Sequence, residues 1–258
     1  YSSCWLDLSG GPVQVMVDAL PAGRYWSVAL MDFFTNHTAM LGSRLDGRGP
    51  VAVTLVGPRW RGPRPAGRVL DAPGDDVWLL GRWLVDGTAD LPAARAMQDG
   101  LKLLPFADAS APSAPRPVPR DVADPENFLA VVNDALWRNP APARDAALLA
   151  AWASVGLGAA AGGGDAGGAP AWARLPEPVR SAWRARIGPA LAALRDGLGR
   201  SGRLVQGWRL PPPELGNFGT AFGLRAAVAL GGLAALEPVE AVYLTRLADA
   251  DGTLLDGG

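Results

Sequence analysis

The stretch Arg24 to Arg44, RYWSVALMDFFTNHTAMLGSR, constrains this chain more than any other. Tyr25–Met31 is almost continuously apolar, and it opens into the polar run Asp32, Thr35, Asn36, His37 and Thr38 before leaving through Gly42. A short apolar run bounded by turn residues reads as a strand in the middle of a sheet, covered on both faces. Such a strand needs partners on both sides and a packed layer against it, so the flanking sequence must supply more strands.

It does. Tyr1–Leu8 ends at Ser9-Gly10-Gly11-Pro12, and Val13, Val15 and Val17 then alternate with Gln14, Met16 and Asp18, the period of a strand. Val51–Val56, Val69–Leu70 and Val77–Val85 follow, separated by Gly and Pro corners. Short strands with this punctuation predict a β-sandwich domain over residues 1–104. Leu91–Leu103, with apolar residues at 91, 94, 97, 101 and 104, has helical spacing, with Asp90 placed to cap it and Pro92 in its first turn. Residues 105–123 are rich in Pro, Ala and Ser and predict an extended linker.

Residues 124–236 read as helical. Asp124-Pro125 opens one helix and Asn139-Pro140 stops it; further helices are expected over 143–157, 178–198 (with a break at Gly188-Pro189) and 220–236. Val239–Leu247 reads as a strand and Asp249–Gly252 as a turn, so residues 237–258 are expected to begin a truncated C-terminal β domain. The fold class is therefore α+β: a sandwich, a helical region and the first strand of a second β domain. A strand left unpaired at a terminus is a liability, and the expectation is that the protein continues.

Charge excludes one class of partner. The net charge is −1 with no basic excess, so no nucleic-acid footprint is expected. Arginine supplies nearly all the positive charge, Lys102 being the only lysine, which with the Ala, Gly and Pro content reads as coding bias. Cys4 is the single cysteine, so no intrachain disulfide can form; a buried small hydrophobe is expected there. No membrane span is expected, because no 18-residue run is free of polar interruption. The Gly158–Gly168 loop lacks the pattern of a phosphate-binding loop, and Asp249–Gly252 lacks the closing glutamate of a calcium loop. No cofactor and no metal site are expected. Oligomeric state is not legible.

The blocks YSSCWLDLSGGPVQVMV, GRYWSVALMDFFTN, VTLVGPRWRGPRPAG, VWLLGRWLVDG and LPAARAMQDGLKLLP, in that order over residues 1–104, resemble the family called domain of unknown function 1254. FGTAFGLRAAVALGGLAALEPVEAVYLTRLADADGTLLDGG, from Phe218 to Gly258, resembles the opening of the region called domain of unknown function 1214. The resemblance implies a jelly-roll-like sandwich, helices between two β domains, frequent export in bacteria and clipping at both ends. It thus favours a periplasmic or secreted location over a cytoplasmic one. It implies no settled activity. Phe222 stands where that family commonly has tyrosine.

Asp32, Thr35, Asn36 and His37 form the first candidate ligand cluster; the alternative is that they hydrogen-bond backbone and shape a turn. Arg82, inside an apolar strand, needs a partner if buried, with Asp32 or Asp7 available, or else faces outward. Trp5, Tyr25 and Trp60 are candidate platforms for a ring or an apolar ligand, with core packing as the alternative, and Trp60 is expected to be the exposed one. Asp75-Asp76 reads as a solvated pair in a turn. Two functions fit: a binding or structural protein of the bacterial envelope with a small glycan- or lipid-like ligand, or a hydrolase with its site at the junction of two β domains.

Overall fold

The computed structural model describes residues 1–106, 117–158, 171–197, 202–249 and 251–255. The chain divides into two units, Tyr1–Phe33 with Thr38–Ala192, and Phe34–His37 with Ala193–Gly258.

In the first unit eight strands form two four-stranded sheets. The first sheet has the order β1 (Ser2–Asp7), β7 (Asp76–Trp83), β3 (Trp26–Met31), β4 (His37–Gly42). The second has the order β6 (Val69–Asp71), β5 (Val51–Val56), β2 (Val13–Val17), β8 (Leu101–Pro105). The pairs β1–β7, β3–β7, β2–β5 and β2–β8 are antiparallel; β5–β6 is parallel. Both sheets feed one core. Leu6, Trp26, Val28, Leu30, Val77, Leu79 and Trp83 come from the first sheet, and Val15, Val17, Val53 and Leu55 from the second. The alternation that faces these residues inward turns Ser3, Trp5 and Asp7 of β1, and Trp78, Leu80 and Arg82 of β7, to the outer face of the first sheet. The strand expected from Tyr25–Met31 is β3, and all six of its residues are buried.

Helix α1 (Ser43–Asp46) is a single turn after β4. Helix α2 (Leu91–Asp99) is shorter than its spacing predicts. It ends against Gly100, whose amide closes on the carbonyls of Ala96 and Met97, and Leu101–Pro105 becomes β8. The physical reason is that a short apolar run fits either period, and β2 offers an open ladder that pairs Leu103 with Val15. A side chain at Gly100 would meet Asp18 Cβ at 3.2 Å, so anything larger than glycine at the crossing from helix to strand would press on Asp18.

Helix α3 (Pro125–Arg138) starts and stops where its capping residues predict, the Asp124 carboxylate accepting from the Glu126 amide at 3.0 Å. The helix expected over 143–157 is split into α4 (Ala146–Trp152) between two 3₁₀ turns. Helix α5 (Ala171–Arg174) precedes α6 (Glu177–Gly197), which runs through Pro189 without the expected break. A small second core of Leu129, Trp172 and Leu175 joins α3, α5 and the turn before α6, with Phe128, Val179 and Trp183 packed on it. Buried Asn133 pins the turn after α4: its Nδ2 donates to the Gly156 carbonyl at 2.8 Å and its Oδ1 accepts from the Gly158 amide. The remainder of the glycine loop and residues 107–116 of the expected linker lie outside the described residues.

The second unit holds a hairpin of β9 (Arg203–Val205) and β10 (Trp208–Leu210), turned by Gln206 and Gly207 at positive φ, and α7 (Phe222–Gly231). Helix α7 stops short of the predicted Leu236 because Gly231-Gly232 ends it. The strand expected over Val239–Leu247 does not form; Thr245 makes an isolated bridge to Arg209, and Ala248 another to Leu254. The expected turn at Asp249 is present, its Oδ1 accepting from the amides of Asp251 and Thr253 at 2.9 Å each.

Candidate functional site

Two features of the first sheet's outer face stand out. One is an aromatic platform. Trp5 and Trp78 sit opposite each other in the β1–β7 register and stack with centroids 5.8 Å apart and planes 12° apart. Phe33 leans on Trp5 at 5.7 Å. The Trp78 indole donates to Ser3 Oγ at 2.9 Å, which fixes its ring. Trp5, on the edge strand, remains 53% exposed.

The other feature begins two register positions away, where Asp7 faces Asp76. Like charges opposite each other on antiparallel strands repel, and a cation must lie between them. It comes from the end of α3. Arg138 Nη2 lies 2.6 Å from Asp76 Oδ1 and 2.7 Å from Asp7 Oδ1, and its Nε donates to both Asp76 oxygens at 3.0 and 3.1 Å. Asn139 completes the clasp: its Nδ2 donates to Asp76 Oδ2 at 2.8 Å and its Oδ1 accepts from the Asp76 amide at 2.9 Å. A side chain at Gly74 would collide with the Asn139 side chain, so the close approach favours glycine. Asp75 is wholly buried. Arg59 Nε lies 3.0 Å from its Oδ2 as an ion pair outside hydrogen-bond geometry. Arg59 itself stacks on the Trp137 ring at 3.8 Å and donates to the Trp137 carbonyl.

The three carboxylates have different electrostatics. Burial pushes Asp75 above the ordinary carboxylate value, more than Arg59 and Arg138 pull it down. Burial acts on Asp7 too, but the hydrogen bonds from Ser9 and Arg138 outweigh it and hold the group below the ordinary value. The hydrogen bond to Asp76 leads in raising Arg138, which is firmly a cation. The expectation that Asp75-Asp76 is a solvated pair is thus corrected: one is fully buried and the other is clamped by Arg138 and Asn139. The turn at Gly74 ends at Asp75, and Asp76 already belongs to β7. The signal available was three acids at two strand ends beside a helix that stops on Arg-Asn.

The residues singled out from the sequence do not converge. Trp5 and Arg82 share the outer face of the first sheet, Arg82 half-buried two rows from Trp78. Asp7, considered as a partner for Arg82, is held by Arg138. Tyr25 is half-buried, its carbonyl accepting from the Leu84 amide. Trp60 is half-buried rather than exposed: its indole donates to the Pro63 carbonyl at 3.0 Å and lies over Gly62. Asp32 is buried in the first unit, where Thr38 Oγ1 donates to the Leu30 carbonyl. Thr35, Asn36 and His37 fall in the second unit. There Asn36 Oδ1 accepts from the Phe218 amide at 3.1 Å, and the His37 amide donates to the Gly216 carbonyl at 2.7 Å. The Asn36 side chain thus reaches backbone 182 residues away. Thr35 sits at φ +64°, a strained setting for a β-branched residue. Cys4 is partly buried against the core, and burial raises its thiol. Among the described residues, no group of three His, Cys, Asp or Glu side chains is placed to hold a metal ion, and no helix is long and apolar enough to cross a membrane.

Comparison with known proteins gives a family likeness over the sandwich and a fold likeness over the whole chain. No curated protein matches. The crystal structure of the VPA0106 protein from Vibrio parahaemolyticus is similar at 23% identity with a TM-score of 0.70. That likeness covers 99% of this chain and 62% of that one, so this chain spans less than two-thirds of the relative's length. Residues 1–105 match the family model described as "Protein of unknown function (DUF1254)".

Proposed function

We propose that the chain is a small-ligand-binding protein of an exported compartment of a bacterium, with its site on the outer face of the β1–β7 pair. The observation that carries this reading is Trp5, an indole left half-exposed yet held rigid by Trp78 and Phe33 beside a fixed carboxylate. Rigid aromatic surface binds at low entropic cost, because nothing has to be ordered when a ligand arrives. A jelly-roll form of the sandwich, followed by a linker, a helical region and the opening of a second β domain of the 1214 type, belongs to the same reading. So does a glycan- or lipid-like ligand.

The hydrolase alternative draws less support from this face. A general acid needs a raised pKa and access to substrate together. Asp75 has the first without the second, and Asp7, which is partly exposed, is held in its ionised form.

The test is a thermal-shift screen of the purified chain against sugars, glycosides and amphiphiles, run in parallel with Trp5→Ala. A ligand of this site raises the melting temperature of the wild type and leaves the variant unmoved. Stabilisation that survives Trp5→Ala overturns the placement.

A further inference from the structure

We infer that the β1–β7 face takes the pyranose ring of an uncharged sugar, with Asp7 as the residue that selects it. This deepens the binding reading above and rests on it.

Three side chains of edge strand β1 point the same way: Ser3, Trp5 and Asp7. Successive members lie about 7 Å apart along the strand. The indole is in the middle, a hydroxyl on one side and a carboxylate on the other. Ser3 Oγ accepts from Trp78 and keeps its own proton to donate. Asp7 Oδ1 is fully engaged, accepting from the Ser9 amide at 2.9 Å and from Ser9 Oγ at 2.6 Å, with Arg138 Nη2 paired to it at 2.7 Å. Asp7 Oδ2 has no protein partner among the described residues, and the side chain is 30% exposed. The carboxylate is therefore locked in orientation by one oxygen and offers the other as an acceptor.

A pyranose has an apolar C–H face and a rim of hydroxyls, and both parts find a counterpart here. The ring face lies on the Trp5 indole, and rim hydroxyls donate to Asp7 Oδ2 and accept from Ser3. An acceptor that stays ionised can only receive hydrogen bonds, which suits a polyol and rejects an anionic head group. That argues against a fatty acid or phospholipid. An organic cation would also favour an indole, but Arg138, 2.7 Å from the same carboxylate, offsets the field that would draw it.

The experiment is isothermal titration of the purified chain with methyl glucoside, methyl galactoside and methyl mannoside, and separately with choline and dodecanoate. Wild type, Trp5→Ala, Asp7→Asn and Ser3→Ala are compared, each checked by its thermal melt. Trp5 and Ser3 are exposed, so their variants keep the fold even if Asp7→Asn loosens Arg138. The expected result is saturable binding of at least one hexoside, weakened at least tenfold by Trp5→Ala and by Asp7→Asn and less by Ser3→Ala. If Asp7→Asn does not fold, the decision rests on Trp5→Ala and Ser3→Ala. Binding of choline or dodecanoate that needs Trp5, without hexoside binding, overturns the sugar inference and leaves the binding reading standing. Hexoside binding indifferent to Trp5→Ala overturns the inference too. If no probe binds in a Trp5-dependent way, both fall.

Discussion

The sandwich interior and the polar clasp at the end of α3 are both buried, and they are stabilised by opposite logics. Leu6, Val15, Val28, Leu30, Val53, Leu55 and Leu79 interdigitate from two sheets, and their contributions are non-directional and roughly proportional to area. Asp7, Asp76, Arg138 and Asn139 depend on angles and on charge balance. A core of the first kind degrades gradually when a side chain changes shape. A clasp of the second kind fails as a unit, because deleting one member strands the others away from water. The placement of candidate function follows this difference: a gradual core gives a platform, and only a directional clasp fixes one oxygen of Asp7 while leaving the other presented.

The largest effect expected is from Arg138→Met. With Asp76 almost wholly buried, the loss of its cation costs about 3–5 kcal/mol of unfolding free energy. Adding Asp76→Asn to that variant recovers part of the loss. Urea denaturation of the two variants checks this; additive losses in the double variant would show that the clasp is not a unit.

A volume-conserving change in the interior, Leu79→Met, is expected to cost less than about 1.5 kcal/mol, although Leu79 is fully buried. A larger loss in the same urea assay would erase the contrast.

The smallest effect concerns Asp75, and its sign is opposite. Its folded pKa lies above the ordinary 3.8, so the folded state binds the proton more tightly than the unfolded state does. Stability therefore falls as pH rises from about 3.8 through the folded value. Asp75→Asn removes that fall and raises stability at neutral pH by about 1 kcal/mol, since a neutral amide is cheaper to bury than a carboxylate. Arg59, left behind, keeps Trp137 and remains partly exposed. Thermal melts across pH 3 to 8 read the difference. Asp7, held low, contributes in the other direction: its stability is present above 3.8 and is lost as pH falls through the folded value.

Much of this fold is legible because its signals are local. Val13, Val15 and Val17 alternate within one strand, and Asp124 caps the helix it precedes. Leu101–Pro105 satisfies both periods, and only pairing with β2 decides for the strand. The clasp was illegible for a different reason. Asp76 and Arg138 are 62 residues apart, and nothing near either one marks the other. The same holds for Asn36 and Phe218, separated by 182. Trp60, the aromatic expected to be exposed, is half-buried, whereas Trp5 owes its exposure to an edge position that sequence does not display.

The clasp also behaves as a cross-link made without covalent bonds. It closes a loop of 62 residues between β7 and the last turn of α3, spanning α2, β8 and the whole proline-rich segment. The entropic cost of closing a loop grows slowly with its length. Because that cost grows only with the logarithm of length, residues can be added to the segment or removed from it at small expense while Arg138 holds Asp76. Cutting the segment would leave two pieces with a reason to stay together. The sandwich and its first partner helix are thus tied to each other by contacts that lie outside the proline-rich stretch.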